Sequence, residues 1–326
     1  MIFVVTSKHQ IKKMRFQIRI TNQENETIIL LTDTNTGCSA EIYSFGAILN
    51  SFSIRQEVKD FNIKEAYTSI ADAKAKLATW FNSARLSPFV CRLKQGEYVI
   101  ENQKYKIDKF YMGNHAIHGL VFDASYTIHD SVANDEMAAV TLYYNYAAFD
   151  KGYPFIFDSY ITYTLKKDNS ISISSKILNK SETAIPFSEG WHPYFNLAGN
   201  CNDWTLQINS NTAVDFDSEM IPTGKLKVDN SFIAPTMIGD NHLDNCYFIY
   251  DHTTPACVLS NNVISLCFFP EESMPYLQVF TPDHRKSIAI ECLSGTADNF
   301  NNKFGLIWIK PTESHSFNTK YQLKAL

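Results

Sequence analysis

The stretch that decides the fold reads SYITYTLKKDNSISISSKI and runs from Ser159 to Ile177. Ile171 and Ile173 alternate with serines, and a period of two places successive strand side chains on opposite faces. Between the two alternating runs lie the polar residues 166–169, KKDN, which favour a turn. The stretch therefore predicts two strands, each with one buried and one solvated face.

Similar runs recur along the chain, separated by polar turn signals. They are rich in Ile, Val, Thr, Tyr and Phe, which fit a pleated surface. The runs are RFQIRI (15–20), TIILLT (27–32), YTIHD (126–130), AAVTLYYNY (138–146), WTLQI (204–208), SLCFF (265–269), YLQVF (276–280), SIAIECL (287–293) and LIWI (306–309). Ala and Leu recur at helical spacing in EAYTSIADAKAKLATWF (65–81), which predicts a short helical insertion near 64–81.

These patterns predict an all-β fold, a large antiparallel β-sandwich. Strands do not alternate with long helices, as they would around a parallel sheet. No internal repeat or flexible linker divides the sequence. We therefore expect one domain over 1–326, with 1–13 as a peripheral extension.

Composition excludes several classes of partner. The net charge is -5 and no basic block stands out, whereas a nucleic-acid partner would require a positive face. No apolar run approaches the ~18 residues that span a bilayer. The N-terminus lacks the charge-then-apolar order of a secretory signal, so we expect a cytoplasmic protein, for which Met14 is an alternative start.

No cofactor or metal is expected. The sequence has neither a P-loop nor a glycine-rich dinucleotide fingerprint. Its seven cysteines include no C-x-x-C pair, which indicates buried reduced thiols rather than a zinc site.

Glu291 is the sharpest anomaly, because it ends an apolar strand of Ile and Ala. Burying an unpaired carboxylate costs several kcal/mol or raises its pKa until the group is neutral. Glu291 is therefore expected to face solvent, to pair with Arg or His, or to act as a base.

Other polar residues also lie in apolar settings. His192 lies in GWHPYFNL, where the aromatics suit either a packed core or the apolar face of a sugar ring. Arg92 in PFVCRL allows a buried ion pair or a substrate contact. His115 and His118 lie in a glycine-flanked turn, and Asp244 lies in NHLDNCYF.

Together, these segments resemble the aldose 1-epimerase, or galactose mutarotase, family. The motifs that carry the resemblance follow in order: Cys91-Arg92-Leu93, Ile117-His118-Gly119, His192-Pro193-Tyr194-Phe195-Asn196-Leu197, Asp244 and Ile290-Glu291. The segment 221–226, IPTGKL, adds to it, and the resemblance runs from about Met14 to the C-terminus. It implies the family's galactose mutarotase-like supersandwich.

The resemblance also implies roles. Glu291 would be the general base and His192 the general acid, at opposite edges of one pyranose. The expected substrate contacts are His118, Arg92, Asp244, Trp191 and His115, with Arg85 as a rival to Arg92. Trp191, Leu120, Cys292 and Asn245 depart from the family's usual residues, which leaves the sugar open.

The expected activity is interconversion of the α and β anomers of a free hexose, by a monomer or homodimer. One alternative is a hexose-phosphate epimerase, which would require basic residues such as Arg85, Lys94 and Lys286 at the site. A second is a non-catalytic sugar-binding sandwich. A third is a glycoside hydrolase that uses Glu291 and Asp244 as its two carboxylates.

Overall fold

A computed structural model describes residues 14–23, 25–56 and 59–326 of the chain, so the extension predicted for 1–13 lies outside the described residues. Strands form most of the described chain. The first fifteen are β1 (Phe16–Gln23), β2 (Glu26–Asp33), β3 (Ser39–Tyr43), β4 (Ile48–Gln56), β5 (Lys59–Asn62), β6 (Ala84–Arg85), β7 (Arg92–Leu93), β8 (Glu97–Ile100), β9 (Gln103–Lys106), β10 (Tyr111–Met112), β11 (His115–Ile117), β12 (Thr127–Ala133), β13 (Met137–Ala147), β14 (Ile156–Lys166) and β15 (Ser170–Asn179).

The remaining strands lie in the C-terminal half. They are β16 (Ile185–Phe187), β17 (Trp191–His192), β18 (Tyr194–Phe195), β19 (Thr205–Ile208), β20 (Thr212–Phe216), β21 (Pro222–Val228), β22 (Thr236–Met237), β23 (Asp244–Phe248), β24 (Cys257–Ser260), β25 (Ile264–Pro270), β26 (Tyr276–Phe280), β27 (Ile288–Leu293), β28 (Ile307–Ile309) and β29 (Ser314–Ala325). The helices are α1 (Ile70–Trp80) and α2 (Asn299–Asn302), with 3₁₀ turns at Lys94–Gly96 and Cys201–Asp203.

Three large sheets contain most of these strands. The largest has the order β12-β13-β14-β15-β29-β25-β24-β19-β22. A second sheet consists of β1 to β5 in sequence order, and a third has the order β18-β27-β26-β23-β20-β21. The ladders of all three sheets are antiparallel where the structure describes them, which confirms the predicted all-β sandwich class.

The stretch Ser159–Ile177 forms parts of two adjacent strands of the largest sheet. β14 pairs with β15 so that Tyr163 lies opposite Ile173 and Thr162 opposite Ser174. Tyr163, Ile171 and Ile173 are buried, so the alternation does separate a core face from a polar face. Ser175 is the exception: it points inward and donates a hydrogen bond to Glu189 Oε1 at 3.0 Å.

The third sheet packs face to face on the largest one. Thr319 Oγ1 on β29 lies 3.4 Å from Cys292 Sγ on β27, and the ring of Phe195 on β18 lies 5.1 Å from that of Phe268 on β25. Buried side chains of all three sheets form one continuous hydrophobic core. Residues of β27 that do not face this core are therefore free to line a site on the sheet's other surface.

Helix α1 belongs to a second hydrophobic cluster, which also contains Tyr43 and Ile48 of the second sheet and Leu293 of β27. Its N-cap Ser69 accepts a hydrogen bond from the Asp72 backbone N–H at 3.1 Å, which satisfies one of the free donors of the first turn. Ile70, Ala73 and Leu77 are its buried residues. The predicted helical insertion is confirmed, and the helix itself occupies 70–80. It begins later than the predicted segment because Lys64 and Glu65 are extended and pair with the chain at Tyr194 and Phe195.

Candidate active site

A cavity of about 270 Å³ opens on the surface of the third sheet. Its floor is formed by alternate residues of β23, β26 and β27. Cys246 lies opposite Gln278, and Gln278 lies opposite Glu291, so three neighbouring strands present one row of side chains. Because side chains alternate along a strand, Asp244, Phe280 and Leu293 face the same cavity.

His192 enters the cavity from β17, which pairs with β6 so that His192 lies opposite Ala84. Its ring lies 5.1 Å from that of Tyr194, nearly parallel to it. On another side, the ring of His118 lies 5.1 Å away and is almost perpendicular. The rings of Tyr194 and His118 therefore pack against the His192 imidazole.

His192 and Glu291 are direct neighbours. His192 Nε2 lies 3.3 Å from Glu291 Oε1, and the residues are 7% and 2% exposed. Among the described residues, neither His192 Nδ1 nor Glu291 Oε2 has a hydrogen-bond partner. Buried polar atoms are rarely left unpaired, so both atoms are exceptions to the usual pattern.

The structure therefore brings the expected base and the expected acid together in one cavity, side by side.

Burial controls the charge of this pair. It raises the pKa of Glu291 well above its ordinary value, and the carboxyl group of Asp244 acts in the same direction. Burial lowers the pKa of His192 to about 3, with the Lys64 ammonium acting in the same direction. In the free protein, the pair therefore favours a neutral carboxylic acid beside a neutral imidazole.

Asp244, Gln278 and Arg92 form a polar group in the cavity. Gln278 Nε2 donates a hydrogen bond to Asp244 Oδ1 at 2.6 Å. Burial raises the pKa of Asp244, while the Arg92 guanidinium and this hydrogen bond oppose the rise. Sequence reasoning missed Gln278, although a lone amide in the apolar run YLQVF was a usable signal.

His118 is held at the wall by an unusual backbone. Its φ is 60°, and its N–H bonds to the carbonyl of Cys91, which has a φ of 49°. Phe81 and Met220, which also line the cavity, are left-handed too, with φ of 55° and 60°. Such strain in non-glycine residues concentrates at functional sites.

Gly119 explains why a glycine follows His118. It has a φ of +76°, and a Cβ at this position would lie 2.1 Å from the Ser87 carbonyl oxygen. Only glycine fits this approach without a backbone shift. Burial lowers the pKa of His118 well below its ordinary value, so a neutral imidazole faces the cavity.

Two of the predicted contacts do not reach the cavity. Trp191 is 1% exposed and donates from Nε1 to the Ser83 carbonyl at 3.1 Å. Since it precedes His192 in a strand, it points to the opposite face, into the core. His115 accepts from the Gln95 backbone N–H at 3.0 Å and lies 3.6 Å from Glu219, outside the cavity.

Arg85 is likewise not at the cavity, whereas its rival Arg92 is. The guanidinium of Arg85 is 2% exposed, lies 3.4 Å from Glu189 Oε1 and donates to the Tyr163 hydroxyl at 3.1 Å. Arg85 therefore belongs to a buried ion pair beneath the site.

Nothing in the described ranges forms a metal centre, because no group of three or more His, Cys, Asp or Glu side chains converges there. All seven cysteines are free thiols, and all but Cys91 are buried.

None of the helices described is both long enough and apolar enough to cross a membrane.

Comparison with known proteins agrees with this architecture. Escherichia coli (strain K12) protein YihR is 25% identical over 244 residues, covering 71% of this chain and 75% of that protein. Maltose epimerase of Levilactobacillus brevis is 23% identical over 210 residues, covering 63% of this chain and 60% of that protein. The crystal structure of galactose 1-epimerase from Lactobacillus acidophilus has the same fold, with a TM-score of 0.82 at 18% identity over 96% of this chain and 99% of that one.

A model of the aldose 1-epimerase family matches residues 28–322. This range contains both members of the His192–Glu291 pair and every other residue that lines the cavity. Since the match extends over most of the chain, the protein belongs to the aldose 1-epimerase family.

Proposed function

We propose that the protein is an aldose 1-epimerase that interconverts the α and β anomers of a free sugar by general acid–base catalysis. One observation carries the proposal. His192 Nε2 and Glu291 Oε1 lie 3.3 Å apart in a cavity, each residue keeping a second polar atom unpartnered among the described residues.

The reaction needs two coupled proton transfers. An ionised Glu291 accepts the proton of the C1 hydroxyl while a protonated His192 donates one to the ring oxygen. The bond between C1 and the ring oxygen breaks, and the C1–O1 bond becomes the aldehyde carbonyl. After rotation about C1–C2, the same steps reverse on the other face. Positioned proton transfers of this kind contribute roughly 10²–10⁴-fold each.

The pair's proton count suits this cycle. The ion pair before ring opening and the neutral pair after it carry the same number of protons, so no proton exchange with solvent is required. Burial favours the neutral pair in the free protein. A bound sugar would have to stabilise the ion pair through hydrogen bonds from its hydroxyl groups, since charges in such a site depend on nearby dipoles.

The wall residues suit hydroxyl groups of a sugar. Arg92 offers only donors, Asp244 accepts when ionised, and the neutral imidazole of His118 offers one donor and one acceptor. Gln278 adds an amide that is already oriented by Asp244. Apolar Tyr194 and Phe280 surround these groups, as in most small-molecule sites.

A phosphorylated sugar fits the cavity less well. Among described residues, Arg92 is the single Lys or Arg side chain that lines it, while Asp244 and Glu291 are both acidic. Arg85 is committed to Glu189, and neither Lys94 nor Lys286 lines the cavity. A phosphate dianion would therefore meet too little positive charge.

Hydrolysis and passive sugar binding also explain the site less well. A glycosidase needs two carboxylates that flank the bond, and the direct neighbour of Glu291 is an imidazole. A binding module would have no need for a buried carboxyl group that keeps one oxygen unpartnered, because its burial costs free energy.

The proposal is tested by anomer conversion. Freshly dissolved α-glucose, α-galactose, maltose and glucose 6-phosphate would each be followed by polarimetry with and without the protein; maltose belongs in the panel because a relative is named for it. We expect at least one unphosphorylated sugar to equilibrate much faster with protein than in buffer alone, and glucose 6-phosphate to be the poorest substrate. Failure to accelerate any aldose would refute the proposal.

A further inference from the structure

The mouth of the cavity has a different chemistry from its floor. Trp80 and Thr79 from the end of α1, Met112 from β10 and Met220 from the turn before β21 all line it. Trp80 is 56% exposed and Met112 is 45% exposed. Large apolar side chains grouped beside a polar pocket usually mark a ligand-binding surface.

This apolar rim is fixed in place. The helix ends at Trp80, because Phe81 turns left-handed and its N–H closes on the Leu77 carbonyl at 2.7 Å. The Phe81 ring then packs against His118, with ring centroids 4.6 Å apart. Trp80 is therefore joined through its neighbour to the wall of the polar pocket.

Met220 is fixed from the other side. Its N–H bonds to the Asp217 carbonyl at 3.1 Å, and the Ile221 N–H bonds to Asp217 Oδ1 at 3.0 Å. In the same turn, Glu219 lies 3.6 Å from His115. The turn that carries Met220 therefore also contacts His115 of β11. A rim ordered before binding loses little entropy when a ligand arrives.

The depth of the reacting groups sets the direction in which a sugar enters. Glu291 and His192 are buried, whereas Trp80 and Met112 are exposed at the mouth. A pyranose that presents C1 to the buried pair turns the opposite end of its ring, which includes C4, towards the mouth. A substituent on that end would lie against the rim.

We propose that the rim of Trp80, Met112 and Met220 is a subsite for a second sugar ring, linked through the 4-oxygen of the ring that reacts. The inference rests on the proposed function and names its substrate class: oligosaccharides with a free reducing end. A pyranose has an apolar C–H face that stacks on an indole, and Trp80 offers such a surface at the mouth.

The test compares two sugars and three proteins. Anomer conversion of glucose and maltose would be measured for the wild type, Trp80→Ala and Trp308→Ala. Trp308 is a matched control because it is 45% exposed and lies on β28, away from the cavity. We expect Trp80→Ala to lower the maltose-to-glucose ratio of kcat/KM about three- to tenfold, which corresponds to the free energy of one aromatic contact. Trp308→Ala should leave the ratio unchanged. An unchanged ratio in Trp80→Ala, or a wild type that converts glucose but not maltose, would overturn the subsite.

A binding measurement separates this inference from the proposed function. The chain has four tryptophans, and Trp191 and Trp204 are buried, so in a Trp308→Phe variant Trp80 is the exposed one. If no sugar is turned over, the proposed function fails. The subsite then stands if maltose protects Trp80 fluorescence from acrylamide at concentrations where glucose does not. It falls if the two sugars act alike.

Discussion

Replacing Glu291 with glutamine should slow the enzyme and stabilise the fold at once. Glutamine keeps the shape of the side chain and an oxygen that can accept a hydrogen bond from His192 Nε2, 3.3 Å away in the wild type. It cannot accept the C1 hydroxyl proton. We expect kcat to fall about 100- to 10,000-fold, which is roughly 2.7–5.4 kcal/mol of barrier.

The stability gain follows from burial. Glu291 is 2% exposed, and burial raises its pKa well above 4.5. A carboxyl group with a raised folded-state pKa contributes stability below its unfolded value, and this contribution is lost as the pH rises through the folded value. Glutamine does not titrate, so its advantage over glutamate should grow with pH. We expect about 1–2 kcal/mol at pH 8, within the range common for single stabilising substitutions.

Two assays read out these effects. Polarimetry gives the rate, and thermal unfolding at pH 5 and pH 8 gives the stability. Glu182→Gln, at an exposed carboxylate, is the control and should change neither. A Glu291→Gln enzyme that keeps more than a tenth of wild-type activity would refute the assignment of the base. A stability gain that does not increase with pH would refute the argument from burial.

Four further predictions follow from the same geometry. His192→Asn should lower kcat by about 100-fold or more with an unchanged circular dichroism spectrum; a near-wild-type rate would remove His192 as the acid. The kcat/KM profile should keep its plateau well below pH 6.5, because the pKa of His192 is lowered to about 3, and should fall on the alkaline side as the pair loses its proton; an acid limb near 6.5 would contradict this. Lys64→Met should raise the temperature midpoint of unfolding, because burial lowers the pKa of Lys64 to about 7. It should also move the acid limb of the kcat/KM profile to higher pH, because the Lys64 charge lowers the pKa of His192. An acid limb that stays in place would exclude this coupling. Gly119→Ala should cost about 1–3 kcal/mol or more in chemical denaturation, whereas Gly199→Ala, at the same φ of +76° in open space, should cost less; equal costs would show that contact with Ser87 is unimportant.

The strands were predictable because their signal is local. Alternation in the stretch 159–177 follows from the burial of one face of the sheet, so the polarity of each side chain indicates which face it lies on. Helix α1 was predictable for the same reason, although the extended residues before Ser69 were not, since they follow hydrogen bonds to Tyr194.

The site was predictable only where a residue contradicted its surroundings. Glu291 and His192 were visible as polar groups in apolar runs, but their side-by-side arrangement depends on strand pairing that no local pattern reveals. Trp191 was expected near the sugar because the resemblance puts the residue before the catalytic His there, but the alternation along β17 points it to the opposite face. Gln278 was visible as a lone amide in an apolar run, but only the register of β26 against β27 places it opposite Glu291. The single domain, the cytoplasmic location and the oligomeric state stay predictions.

The backbone of the cavity divides its lining into two kinds of position for protein engineering. Phe81, Cys91, His118 and Met220 have left-handed φ angles, which β-branched residues tolerate poorly, so few exchanges are open there. Cys246, Gln278 and Phe280 stand on regular strands, where a new side chain need not disturb the main chain. Attempts to redirect this enzyme to another sugar should begin on the sheet and leave the loops untouched.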